Sequence, residues 1–232
     1  KLTSITIPSS VKSIGGSAFW LCPELNSIVV EPDNKDYDSR GNSNAIIKTS
    51  DNMLMVVCRN TVIPNSVTSI ATCAFSGFEG LTSIAIPNSV KKIGNSAFRN
   101  CSGLTSMDIP DSVTTIGENA FSGCSSLVSV SLSNSLTSID NSLFRGCSNL
   151  KSVVIPNKVN TIGYLAFEGC SSLTSMDIPD SVTDIGHHAF SGCSSLVSVS
   201  LSNSLTSIEN SLFQGCSNLK SVVIPNTVKT IG

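Results

Sequence analysis

Charge is scarce in this chain, and so are aromatic rings. Asp, Glu, Lys and Arg make up 13% of the 232 residues, the net charge is −2, and Phe, Trp and Tyr together reach 5%. Without a basic stripe the chain has no electrostatic means of tracking nucleic acid. No apolar run approaches the roughly 18 residues that a membrane span needs. The first residues, Lys1-Leu2-Thr3-Ser4, lack a signal-peptide core. There are two histidines, adjacent at His187 and His188, and no Cys-x-x-Cys pair, which leaves zinc without a ligand set. A Gly-x-Ser-x-Gly elbow and a Gly-x-x-x-x-Gly-Lys loop are also missing, so neither a hydrolase nucleophile nor a phosphate cradle is written here. Disorder is excluded too, because apolar residues reach 40%.

What is abundant is serine, with 44 of 232 residues. Such a bias calls for a search for repeats. Phe75, Phe98, Phe121, Phe144, Phe167, Phe190 and Phe213 are spaced by 23 residues, as are Cys101, Cys124, Cys147, Cys170, Cys193 and Cys216. Leu81 through Leu219 keep the same step, and Leu2, Leu25 and Cys58 extend it backwards. The spacing gives one domain over 1–232 with ten repeats, the last partial, and one repeat lengthened by ten residues between Leu25 and Val57. A longer period lies above this one. Residues 104–163 match 173–232 at a shift of 69 with seven differences in 60 positions, the mark of a duplicated three-repeat block. A unique active site inside the block would be present twice.

One repeat, Leu104–Gly123, shows the physics. Leu104-x-x-Met107-x-Ile109 alternates as a short strand. Pro110 ends it for want of an N–H, and Asp111-Ser112 is turn chemistry. Val113-x-x-Ile116 is a second extended segment, and Gly117 permits a bend. Glu118–Gly123 has the length of one helical turn, with Phe121 and Cys124 on its inner side. No coil can bury its apolar side alone, so coils stack about 4.8 Å apart. Adjacent column cysteines then lie within disulfide reach. Their parallel Cβ vectors resist pairing, so the column reads as buried thiols that fill space.

The pattern L-x-S-[IVM]-x-[IL]-P-x-S-V-x-x-I-G-x-x-A-F-x-x-C, written in Leu81–Cys101, Leu104–Cys124 and Leu173–Cys193, resembles the BspA-like class of bacterial leucine-rich repeats. The departures are Leu132-Ser133 and Leu201-Ser202, which lack the proline, and Phe78, which replaces the column cysteine. The segment 29–48 is similar to an insertion known in that class. The resemblance implies an α/β repeat fold: a right-handed, curved leucine-rich-repeat solenoid with a parallel β-sheet on its concave side. Short strands and single-turn helices lie elsewhere, with one β-hairpin insertion. It also implies a secreted or cell-surface protein of host-associated bacteria that adheres to matrix proteins, cells or other bacteria.

Within 31–57, Ala45–Lys48 and Met53–Val57 are apolar runs around a four-residue loop, which predicts a hairpin protruding from the solenoid or lapping over its edge. In the strands, residues between the apolar positions point outward. That gives a candidate partner-binding column of Thr6, Val29, Ala85, Asp108, Ser131, Val154, Asp177, Ser200 and Val223, beside a column of serines. Tyr37, Lys48, Asp51 and Asn52 are candidate hairpin contacts. Trp20 and Tyr164, with Tyr37, are the aromatics expected at the surface. Asp108 and Asp177 stand roughly 14 Å apart, too far for a glycosidase pair.

The expected function is a non-catalytic interaction scaffold without cofactor, adhesin-like, for a host or bacterial protein or a glycan. The alternative is a carbohydrate-binding or accessory repeat domain of a larger secreted protein. The chain starts at a repeat boundary and stops mid-repeat without polar caps. The expectation is therefore part of a longer protein, able to associate end to end.

Overall fold

The computed structural model describes residues 2–15, 18–19, 22 and 24–232. The repeats form stacked coils, each with two short strand positions. The first position is occupied by Ser4–Ile7, Ser27–Val30, Ser106–Asp108, Ser129–Ser131, Ser175–Asp177 and Ser198–Ser200. The second holds two-residue strands from Ser69–Ile70 to Thr230–Ile231. Pairing between repeats is parallel and in the register that the period dictates, as in Ser106↔Ser129 and Ile93↔Ile116. Inside, Phe75 to Phe213 stack ring on ring with centroids 4.8–6.0 Å apart. The column cysteines lie beside them. Each thiol donates to the Phe carbonyl of the preceding coil, at 3.0 Å for Cys101 to Phe75 and 3.2 Å for Cys170 to Phe144.

The segment expected to be a helical turn is not helical. Along Asn119–Cys124, alternate N–H groups leave the coil: Asn119, Phe121 and Gly123 donate to Asn141, Leu143 and Arg145 of the next repeat, while Ala120, Ser122 and Cys124 donate locally. Two left-handed residues per coil make this possible, at φ 58° for Asn119 and 76° for Gly123. A helix tolerates neither. Propensity alone cannot show that stacking offers these N–H groups a partner in the neighbouring coil. The one helical element among the described residues is a 3-10 turn at Arg40–Asn42.

The insertion is built into the stack. Ala45–Lys48 pairs antiparallel with Met53–Val57, Tyr37–Asp38 pairs on its outer side, and Met53–Leu54 continues in parallel into Ser69–Ile70. This hairpin is a partition. Ile46 and Val56 face the core of the first two coils, whereas Ala45, Ile47, Leu54 and Val57 face the core of all the later ones. Strand alternation sends each apolar run to both sides, which is why both runs are apolar throughout and why the hairpin does not protrude. The long coil has no Ala-Phe-x-x-Cys block of its own. Phe78, in place of cysteine, lies beside Met55 and Phe19 at that gap.

The two ladders close largely at different joints, although Ser129 bridges Ser152 where the second ladder is also closed. On the second, Gly94, Gly117, Gly163 and Gly186 donate to the isoleucine carbonyl of the preceding coil at 2.7–2.9 Å. A Cβ there would meet backbone: at Gly186 it would sit 2.5 Å from Tyr164 N and 2.8 Å from Gly163 C. Asp140 and Glu209 stand in this glycine column, and at those two joints the second ladder is interrupted. There the first position closes instead, pairing Ser106–Asp108 with Ser129–Ser131 and Ser175–Asp177 with Ser198–Ser200. Gly186→Ala is therefore expected to open the pairing of Thr161–Ile162 with Asp184–Ile185 and to cost about 2–3 kcal/mol. At Gly169 the φ is +72° and the nearest atom to a Cβ is 3.6 Å away, so Gly169→Ala should cost only the left-handed strain of about 1 kcal/mol. Urea unfolding of both variants checks this; equal losses would refute the close-approach argument.

Candidate functional site: the strand face

The outward residues of the first strand position form one surface. Thr6, Val29, Ala85, Asp108, Ser131, Val154, Asp177, Ser200 and Val223 are all exposed. Alternation fixes this: Met107, Ile109, Met176 and Ile178 are buried on the other side of the same strands. Val154 and Val223 are 81% and 85% exposed, unusual for a residue that favours strand interiors. The row before it carries Thr105, Val128, Lys151, Thr174, Val197 and Lys220, and between the two rows run the serines.

Val62, 64% exposed, also belongs to the column but was missed from the sequence. It lies 23 residues before Ala85. Counting forward from Val29 through the long repeat hides it, whereas counting back from Ala85 finds it. Val128 and Val197 are hidden in the sequence for a different reason: a strand pattern does not separate an exposed valine from a core one until the register is known.

The hairpin candidates separate. Tyr37 is not at the surface. It is 4% exposed and its hydroxyl accepts the Ile14 N–H at 3.1 Å, because its strand packs against the first coils. Lys48 pairs with Asp51 at 3.7 Å, and Asn52 accepts from Arg40 Nη1 at 2.7 Å. Arg40 is held by Asp38, which raises its pKa above the ordinary guanidinium value. These polar groups serve one another. Trp20 lies outside the described residues. Tyr164 is half exposed on the turn side, edge-on to His188 with centroids 6.1 Å apart. His187 faces Glu209 at 3.6 Å. Among the described residues no group of three His, Cys, Asp or Glu side chains could hold a metal ion. The column thiols are poor nucleophiles. Burial raises all six, Cys124 and Cys193 to about 12, with neighbouring thiols adding to the shift at several positions.

The duplicated block marks this surface in another way. The seven differences between 104–163 and 173–232 are at Thr115, Glu118, Asn119, Asp140, Arg145, Lys158 and Asn160. All are exposed or half-buried, and none lies in the strand-face segments 104–109, 127–132 and 150–155.

Parallel coils with inward columns of Leu, Ile, Phe and Cys and a flat outward face of small residues define a β-solenoid of the leucine-rich-repeat kind. The model of the BspA type leucine rich repeat region matches residues 1–49, 56–174 and 137–232 in six copies. The chain belongs to this family. Among curated proteins none matches it. Among solved structures it is similar to a leucine-rich repeat protein from Eubacterium ventriosum, with 25% identity and a TM-score of 0.68, covering 99% of this chain and 57% of that one. The chain thus spans little more than half of that relative. It is also similar to the Treponema pallidum leucine-rich repeat protein (28% identity, TM-score 0.53, 84% and 82% covered). A third is a leucine-rich cell surface protein of Faecalibacterium prausnitzii (27% identity, TM-score 0.50, 99% and 69% covered). No helix among the described residues is long and apolar enough to cross a membrane.

Proposed function

We propose that this chain is a non-catalytic interaction module of a surface or secreted adhesin-like protein, and that it docks a host or bacterial protein on its strand face. In this reading the face is the concave side of a right-handed, curved solenoid. The observation that carries it is the internal comparison of the duplicated block. The two copies differ at seven surface positions, including Glu118 against His187 and Asn160 against Lys229, yet every outward residue of 104–109, 127–132 and 150–155 recurs unchanged 69 residues later. All seven changes fall off this face, although other exposed residues there, such as Asp111 and Asn134, are also unchanged. The cell-surface description of the Faecalibacterium relative supports the location.

Binding of the purified chain to host matrix proteins, mucins and glycans by biolayer interferometry tests this. The expected result is saturable binding to a protein that is lost in the Ser131→Arg, Ser200→Arg double variant and kept in Lys158→Glu. Absence of binding across the panel, or equal loss in both variants, overturns it. A signal from glycans alone would move the assignment to an accessory carbohydrate-binding domain.

A further inference from the structure

The outer layer of the solenoid lacks one turn where the long repeat ends. The coils from Ala71 onwards swing outward between the second strand position and the next column leucine, as Ala71–Gly80 does before Leu81. The long repeat takes the short way: Met53–Val57 is a single strand that runs straight into Cys58. Its outer turn is skipped, so Glu24 on one side and Gly77–Gly80 on the other stand two coil steps apart, about 10 Å at sheet spacing.

The shortcut also shifts the register on the strand side. Asn26 N–H bonds to Thr3 O and Thr105 N–H to Thr82 O, like with like, whereas Arg59 N–H bonds to Leu25 O, one residue early. At the following joint the matching bond from Thr82 N–H to Arg59 O is not made, and Gly80 N–H likewise meets no backbone acceptor among the described residues. The result is a cavity of about 540 Å³, open at the surface and bordered by Glu24, Arg59, Asn60, Phe78, Glu79 and Thr82. It lies outside the stack rather than between coils, since the Phe75 and Phe98 rings stay 4.8 Å apart. Its size is that of a small-ligand site.

The lining mixes donors and acceptors. Arg59 and Asn60 bring side-chain donors, Glu24 and Glu79 bring acceptors, and the Thr82 hydroxyl serves as either. The half-buried Phe78 and Leu81 supply the apolar part. Two carboxylates beside one guanidinium leave no surplus of positive charge, which disfavours a phosphate or sulfate. A neutral polyol suits such a lining: its hydroxyls donate to carboxylates and accept from guanidinium and amide, and its C–H face packs on the ring.

We propose that this cavity binds a neutral saccharide of about two rings. Its hydroxyls bridge Arg59, Asn60 and Glu79, and one sugar face rests on Phe78, the residue that stands where the other coils carry the column cysteine. The site is separate from the strand-face docking surface and does not depend on it.

The test is titration of the isotope-labelled chain with lactose, cellobiose and diacetylchitobiose at millimolar concentrations, followed by amide NMR shifts. Saturable shifts confined to 59–60 and 77–83 are expected with at least one of them. A Cβ at Gly80 would meet nothing within 4 Å, so Gly80→Leu should fold, fill the cavity and abolish binding. Arg59→Ala should weaken binding at least tenfold, while Arg99→Ala, outside the cavity, should leave it unchanged. Equal urea midpoints for the three variants verify that all fold. Shifts with none of the sugars, scattered shifts, or full binding by Gly80→Leu would overturn the site. Sulfate moving the same amides where the sugars do not would overturn the saccharide assignment. The Ser131→Arg, Ser200→Arg variant should bind sugar as the wild type does; loss there would place the sugar on the strand face and overturn the site. Failure of every panel protein to bind would sink the docking face and leave this site standing.

Discussion

Raising the pH from 8 to 10 under reducing conditions is expected to remove about 7 kcal/mol of folding stability. Folding raises the pKa of the column thiols above the ordinary value of 9.0, to about 12 for Cys124 and Cys193, with burial as the largest cause; Cys101, Cys147 and Cys170 are raised as well. The unfolded chain releases these protons as the pH passes 9, while the folded chain keeps them. Alkali therefore favours unfolding. The thiols' contribution is fully present below pH 9 and disappears as the pH climbs towards 12. Each loses more than about 1 kcal/mol over that first interval. Five together are comparable with the whole stability of an ordinary domain. Ionisation would also place a negative sulfur against the Phe carbonyl to which the thiol now donates. Urea midpoints at pH 8, 9 and 10 measure the effect. Combining Cys147→Ala with Cys170→Ala should reduce the pH-dependent loss by about 3 kcal/mol, whatever it costs at pH 8. An unchanged midpoint at pH 10 would mean that the thiols ionise in place and that the column is wet.

Phe144→Ala should cost about 3–5 kcal/mol. Phe144 is fully buried between Phe121 and Phe167, with centroids 5.7 and 5.5 Å away. No neighbour can collapse into the void, because each ring is already fixed by the next. Coils touch only their neighbours, so the loss falls on one interface. The coils before and after it should then melt in two steps, visible as a broadened urea transition by circular dichroism. A single sharp transition of wild-type midpoint would contradict this.

Much of the fold was legible in the sequence because identical coils repeat identical contacts. The Phe and Cys columns, the parallel register and the outward direction of Asp108 and Val154 follow from spacing alone. Ala45–Lys48 and Met53–Val57 carry strands at the bounds their composition suggests. What was not legible depends on neighbours. Tyr37 looks like a surface aromatic until the first coils close over it. Glu118–Gly123 looks like a helical turn until the next coil supplies acceptors. Asp140 in the glycine column looks neutral until its Cβ is set against the backbone of the preceding coil. As for the site, the column could be named but not ranked, since how far Val154 or Val223 stands out of the face depends on the packing of the neighbouring coils.

The alternation of closed joints has an evolutionary corollary. From Gly94 onwards the second ladder is paired where glycine holds one position and interrupted where Asp140 or Glu209 does, so three coils encode a short, fixed series of closures. Copying a whole three-coil unit keeps that series in phase. The lengthened molecule inherits its series of closed joints together with its surface, and both can grow without being redesigned. Gain or loss of a single coil would throw the series of closures out of phase with the coils beyond it. Unequal recombination in such a gene should therefore be tolerated in steps of 69 codons and selected against in steps of 23.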